Sequence, residues 1–143
     1  VAAVLDRFHR SPGDGPLVRQ METVERCFAP RRLADVVEGL RLDGGQWAWD
    51  TMWELSGRAP FSLAVTNRQL REGRGMAFDE AIRREFRLAW HFLLGRDFLE
   101  GIRAQVVDKD RRPQWSPSTL AEVDELAVTA CFQTLGADEL PLP

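Results

Sequence analysis

The chain has 143 residues, 44% of them apolar, with a formal net charge of -3. That is enough apolar material for one folded domain of ordinary size and too much for wholesale disorder. The acidic balance, with a pI of about 5.4, argues against bulk attraction to nucleic acid or to an anionic membrane.

No apolar stretch is long enough to span a bilayer, and no secretory signal is visible at the start, so a cytoplasmic location is expected. The first residue is Val rather than Met. Cys27 and Cys131 lie far apart in apolar company and read as buried, reduced thiols. Neither has a Cys or His partner at metal-ligand spacing, so no metal site is expected. Lys109 is the only lysine among 19 basic residues.

The apolar residues recur at helical spacing in chain order. Val1, Val4, Leu5 and Phe8 mark a first helix, closed by the Ser11–Pro16 loop. Met21, Val24 and Phe28 mark a second. Pro30 is placed to open a third, with Leu33, Val36, Val37 and Leu40 as its stripe and Gly44-Gly45 as its stop. A fourth is expected from Gln46 to Leu55 with Gly57 behind it, and a fifth after Pro60 that ends at Gly73 or Gly75. The longest runs from Phe78 to Leu94, with Ala81, Ile82, Phe86, Ala89, Trp90 and Leu93 on one side. Asp97 is expected to cap the next helix, with Glu100 three residues on as in a capping box. A proline-interrupted connector, Arg111–Pro117, leads to a last helix capped by Ser116 or Ser118 and carrying Leu120, Val123, Leu126, Val128 and Phe132. Residues 137–143 read as a tail. No segment alternates with period two, so the fold expected is all-α, one helical domain over 1–143.

The chemistry-bearing residues form no self-contained active site. His91 sits in an apolar helix and reads as a half-buried side chain. There is no G-x-S-x-G, phosphate loop or H-E-x-x-H pattern. Trp47, Trp49 and Trp53 read as packing residues of a core or interface. Arg68, Arg71, Arg74, Arg83, Arg84 and Arg87 are interleaved with Glu72, Asp79, Glu80 and Glu85, the pattern of a salt-bridged helix face rather than a nucleic-acid surface.

The most specific signal is an ordered string. Ser62–Gly73 is followed by Glu85-Phe86-Arg87-Leu88, then by Gly95-Arg96-Asp97-Phe98-Leu99-Glu100-Gly101-Ile102-Arg103-Ala104, by Asp108-Lys109-Asp110 and by Pro113-Gln114-Trp115. In order and spacing it resembles the C-terminal region of the 3-hydroxyisobutyryl-CoA hydrolases of the crotonase superfamily. Cys27-Phe28 and Asp43-Gly44-Gly45 extend the resemblance over almost the whole chain.

The resemblance implies helices that pack on an α/β crotonase core absent from this chain. That core supplies the oxyanion hole and the acidic groups of thioester hydrolysis, so no catalytic residue is carried over and this segment alone is expected to be inactive. It implies an acyl-CoA substrate of valine breakdown, with coenzyme A as part of the substrate and no separate cofactor. The expected partners are the N-terminal core and, as a candidate homo-oligomer, another copy of the chain, with neither nucleic acid nor membrane. Lys109 and Arg112 are the candidate donors to the coenzyme A phosphates. An enoyl-CoA hydratase or isomerase relative and a free-standing helical interaction module are the alternatives.

Overall fold

The structure, a computed structural model, describes residues 8–10 and 13–142. Apart from Phe8, the first expected helix lies outside these residues. Every α, 3-10 or π element among the described residues is helical, as the spacing requires, and none is a strand. In chain order they are α1 (Met21–Phe28), α2 (Leu33–Asp43), α3 (Gln46–Ser56), α4 (Pro60–Glu72), α5 (Phe78–Leu94), α6 (Arg96–Ile102) and α7 (Glu125–Ala130). A π turn, Arg103–Val107, continues α6, and a 3-10 turn, Leu120–Glu122, precedes α7. No described helix is long and apolar enough to cross a membrane.

The punctuation residues act as their chemistry dictates. Gly44 ends α2 in the left-handed region (φ 68°), with its N–H on the Leu40 carbonyl. Pro60 opens α4, where its missing N–H costs nothing. Pro30 does not open α2, which begins at Leu33. The intervening connector is instead held from α4: Asn67 donates to the Arg31 carbonyl at 2.8 Å and Arg71 to the Phe28 carbonyl at 2.9 Å. Asn67 thus takes a carbonyl that a helix begun at Pro30 would have used itself, and Arg71 takes one left open at the end of α1.

The last expected helix is broken. Ser118 does not cap it, because its N–H and hydroxyl both donate to the Glu122 carboxylate. Val123 is extended, and Asp124 caps the short α7 by accepting from the Leu126 N–H at 2.8 Å.

Two small cores result. The first gathers Cys27, Val36, Leu40 and Ala48, with Phe28, Leu33, Trp47, Met52 and Leu55 against them. At Gly39 a Cβ would lie in ordinary contact, 3.5 Å from the Cys27 backbone, so only a side chain longer than a methyl would press α1 from α2. The second joins Val65, Leu88, Val128 and Cys131, with Phe61, Ala64, Phe92, Val123 and Phe132 around them. Both cysteines are free and buried, and burial pushes the Cys131 thiol up. On α5 the core takes Leu88 and Phe92, whereas Ala89, Trp90 and Leu93 of the expected stripe face outward.

The helix-face charges pair as their interleaving implied. Arg68 and Arg84 share Glu72, Gln69 reaches Glu85, and Arg87 joins Glu80 to Glu139. The Arg87–Glu139 pair, at 2.8 Å, ties the expected tail back onto α5. Arg87, with added bonds from Thr134 and the Leu135 N–H, holds the Glu139 carboxyl down to about 2.

Much apolar surface stays uncovered. Trp53 on α3 is 75% exposed, Leu94 on α5 77% and Leu99 on α6 64%.

Two outcomes test this packing. Leu40→Ala, at a position with no exposure, should cost about 2–5 kcal/mol in denaturant unfolding. Glu139 has a folded value below its ordinary 4.5, so its pairing stabilises above that value and the stabilisation is lost as the pH falls toward about 2. Glu139→Gln should therefore lower the melting temperature at pH 7, and the gap from the native chain should close between pH 4.5 and 2.

Candidate functional site: the Arg103 loop

Helix α6 begins at Arg96, after Gly95, whose extended backbone closes α5 and caps α6. No side chain caps it. The expected capping pair is therefore corrected: Asp97 and Glu100 lie inside the helix and both turn to the Arg111–Pro117 connector. Asp97 accepts from the Ser116 N–H at 2.9 Å, and Glu100 accepts from the Gln114 N–H at 2.6 Å. The physical reason is position. Gly95 supplies the extended residue at the helix start, which leaves Asp97 two residues too far in for a cap. The connector's unpaired N–H groups, which no regular element satisfies, claim both carboxylates.

Arg103 organises the rest. Its Nε and one Nη2 hydrogen grip the two Glu100 oxygens at 2.9 and 2.8 Å. Nη1 donates to Asp108 and to Asp110, both at 2.7 Å. The remaining Nη2 hydrogen reaches the Arg112 carbonyl at 3.0 Å. All the N–H donors of the guanidinium are thus used, in the planar fork that only arginine offers. Arg103 and the Gln114 N–H hold Glu100 down to about 2, and Arg103 also lowers Asp110. Both stay ionised over the neutral range.

The backbone between these anchors is forced into unusual turns. Lys109 and Arg111 both have φ 56°, a left-handed conformation that costs a side-chain-bearing residue about 1–2 kcal/mol. Arg111 N–H donates to the Ala104 carbonyl at 3.0 Å, and Arg112 N–H to Asp110 at 2.8 Å. Ala104 is fully buried beneath the loop. On its far side Trp115 lies over Gly101, where a Cβ would stand 3.4 Å from the indole, and its Nε1–H donates to the Gly57 carbonyl at 3.3 Å.

Every polar residue of the ordered string after Gly95 except Arg96 and Lys109 therefore builds this loop. Lys109 and Arg112, the two phosphate donors expected from sequence, lie on it together and are exposed. Arg111 joins them, a third exposed cation that the sequence reading passed over. Its signal lay in the spacing: two acids at 108 and 110 both claimed by one arginine leave the alternate residues to face water. None of the three cations makes an ion pair, although Arg112 acts on Asp110 at longer range.

An open groove of about 830 Å³ lies elsewhere, between α2, α4 and residues 120–128. The arginines on its α4 wall are already engaged, Arg68 by Glu72, Thr129 and the Phe132 ring and Arg71 by Asn67 and the Phe28 carbonyl. His91 is half-buried on α5.

Comparison with known proteins places this all-helical array in the crotonase superfamily. Residues 1–132 match the family described as enoyl-CoA hydratase/isomerase, and the chain belongs to that family. Among curated proteins it is similar to the mitochondrial 3-hydroxyisobutyryl-CoA hydrolases of Xenopus laevis, at 36% identity over 99% of this chain and 38% of that protein, and of Homo sapiens, at 34% over 98% and 38%. Among solved structures it is similar to an enoyl-CoA hydratase from Rhodobacter sphaeroides, with a TM-score of 0.85 and 30% identity over 94% of this chain and 40% of that one. A carnitinyl-CoA dehydratase from Mycobacterium thermoresistibile gives 0.84 and 32% over 92% and 38%. The chain thus spans about two fifths of the length of the proteins it matches. The expectation of a cytoplasmic location is overturned here, since these curated hydrolases are named as mitochondrial.

The Trp115 seat is testable. Gly101→Val should displace the indole and shift or broaden its N–H resonance in a nitrogen–proton spectrum. Gly101→Ala, whose methyl meets the ring at 3.4 Å, should keep it.

Proposed function

We propose that this chain is the helical part of an acyl-CoA thioester hydrolase resembling 3-hydroxyisobutyryl-CoA hydrolase. Its helices cover an α/β crotonase core and help shape the acyl and coenzyme A pocket. The observation that carries this reading is the Arg103 loop, built by the same ordered residues on which the resemblance to the hydrolases rests. Lys109 and Arg112 donate to the phosphates of the coenzyme A nucleotide, whose charge calls for unpaired cations on a preformed turn. The large apolar side chains left exposed, Trp53, Leu94 and Leu99 among them, support a covering role, because helices evolved to lie against another layer keep an apolar face.

The chemistry belongs to the core. Thioester hydrolysis needs pre-positioned donors for the developing oxyanion and an acid or base near the attacked carbon. Each carboxylate of the loop engages Arg103 or a backbone N–H, with one Asp97 oxygen buried and unpartnered, and we assign Asp97 and Glu100 structural roles. A hydratase reading is kept alive by the names of the two solved structures. The two differ in product, a free hydroxy acid plus free thiol against a hydrated thioester.

The test has two parts. The purified chain should release no thiol from 3-hydroxyisobutyryl-CoA, and activity should appear on addition of a separately produced crotonase core. Thiol release by the chain alone, lost in Asp97→Asn or Glu100→Gln, would overturn the assignment of the chemistry to the core. In titration calorimetry at low salt the chain should bind 3′,5′-ADP, a mimic of the coenzyme A nucleotide, and ignore pantetheine. Lys109→Ala or Arg112→Ala should each weaken that binding about tenfold, with a reduced salt dependence.

A further inference from the structure

We infer that Arg103 is a positioning residue for anion binding, and that the loop it holds presents three cations, Lys109, Arg111 and Arg112, to the phosphates of the coenzyme A nucleotide. This deepens the reading above and rests on it. Arg103 itself touches no ligand, because its N–H donors are already consumed by Glu100, Asp108, Asp110 and the Arg112 carbonyl.

Two observations separate positioning from ordinary surface charge. First, Lys109 and Arg111 stand at φ 56°, which no local preference of theirs favours. What holds them is the acid on either side of Lys109, Asp108 and Asp110, both pulled onto one nitrogen of Arg103. Alternate residues of the loop thus turn inward to the guanidinium, and the cations between and beyond them turn out. Second, the arrangement neutralises the two aspartates that would otherwise quench the neighbouring cations. Asp110 spends its oxygens on Arg103 and on the Arg112 N–H, so a ligand phosphate meets cationic donors rather than a mixed field.

The loop is anchored at both ends. Glu100 holds Arg103 by a two-oxygen fork and the Gln114 N–H by one of the same oxygens. Arg111 N–H is tied to the Ala104 carbonyl. A lysine at 103 would keep the charge and lose the fork, since an ammonium has no planar pair of donors.

The discriminating experiment is the effect of Asp108→Ala together with Asp110→Ala on 3′,5′-ADP affinity in the full chain. Charge alone predicts tighter binding, because two negative groups leave the vicinity of the phosphates. Positioning predicts the reverse, a loss of about tenfold, together with faster tryptic cleavage after Lys109 and Arg111 as the turn opens. Arg103→Lys should show the same two effects with the helical circular-dichroism signal retained. If Arg103→Lys fails to fold, the double alanine variant decides, because it leaves the Glu100–Arg103 fork in place. Tighter binding by the double variant, or native affinity with Arg103→Lys, overturns the positioning role while leaving the nucleotide reading intact. A native chain that binds neither 3′,5′-ADP nor coenzyme A overturns both. Binding of inorganic phosphate as tight as that of 3′,5′-ADP overturns the assignment to a nucleotide.

Discussion

One guanidinium carries the loop on which the functional reading rests. Arg103 joins a helix (Glu100), a turn (Asp108 and Asp110) and a connector (the Arg112 carbonyl) through a single planar group. No apolar contact offers that combination of reach and direction. The loop has little core beneath it beyond Ala104 and the Trp115–Gly101 contact, so its shape is set by charge-assisted hydrogen bonds rather than by burial. That suits a surface that must hold a fixed arrangement of cations in water.

The rest of the chain shows the complementary economy. Two small cores stabilise the helices where α1, α2 and α3 meet and where α4, α5 and α7 meet. Between and beyond them lie large apolar side chains left open to solvent, from Trp53 on α3 to Leu94 and Leu99 along α5 and α6. Such a distribution is poor design for a free monomer and good design for a layer that lies on another.

Family membership and geometry meet at the ordered string. Taken as letters, Asp97, Glu100, Gly101, Arg103 and Ala104 followed by Asp108, Asp110 and Trp115 are a pattern. Taken as contacts, they are the parts of one closed loop, each held by another member, by connector backbone or, for Trp115, by the Gly57 carbonyl as well. The matched enzymes share the scaffold at about one residue in three.

Much of the fold was legible in the sequence. The span of α5 and the start of α3 follow from apolar spacing bounded by glycine, and the start of α4 from Pro60, because these depend on local conformational preference and one-sided burial. The Glu72 and Glu80 partnerships of the arginines on α4 and α5 follow from their interleaving. What failed did so where a distant group competed for a backbone donor or acceptor. Pro30 does not open a helix, and Asn67 on α4 takes the Arg31 carbonyl that such a helix would have used. Ser118 lost its cap to Glu122. Asp97 and Glu100 read as a cap because three-residue spacing suits one, yet they are carboxylates for connector N–H groups more than a dozen residues away. The sequence by itself determined that the chain is helical, that it carries this family's ordered residues and that Lys109 and Arg112 sit in one basic segment. Only the tertiary structure decided that Arg103 is their organiser and Arg111 their third member. The physical reason is that a guanidinium's partners are chosen by directions in space, and sequence spacing does not encode directions once the chain leaves a regular helix.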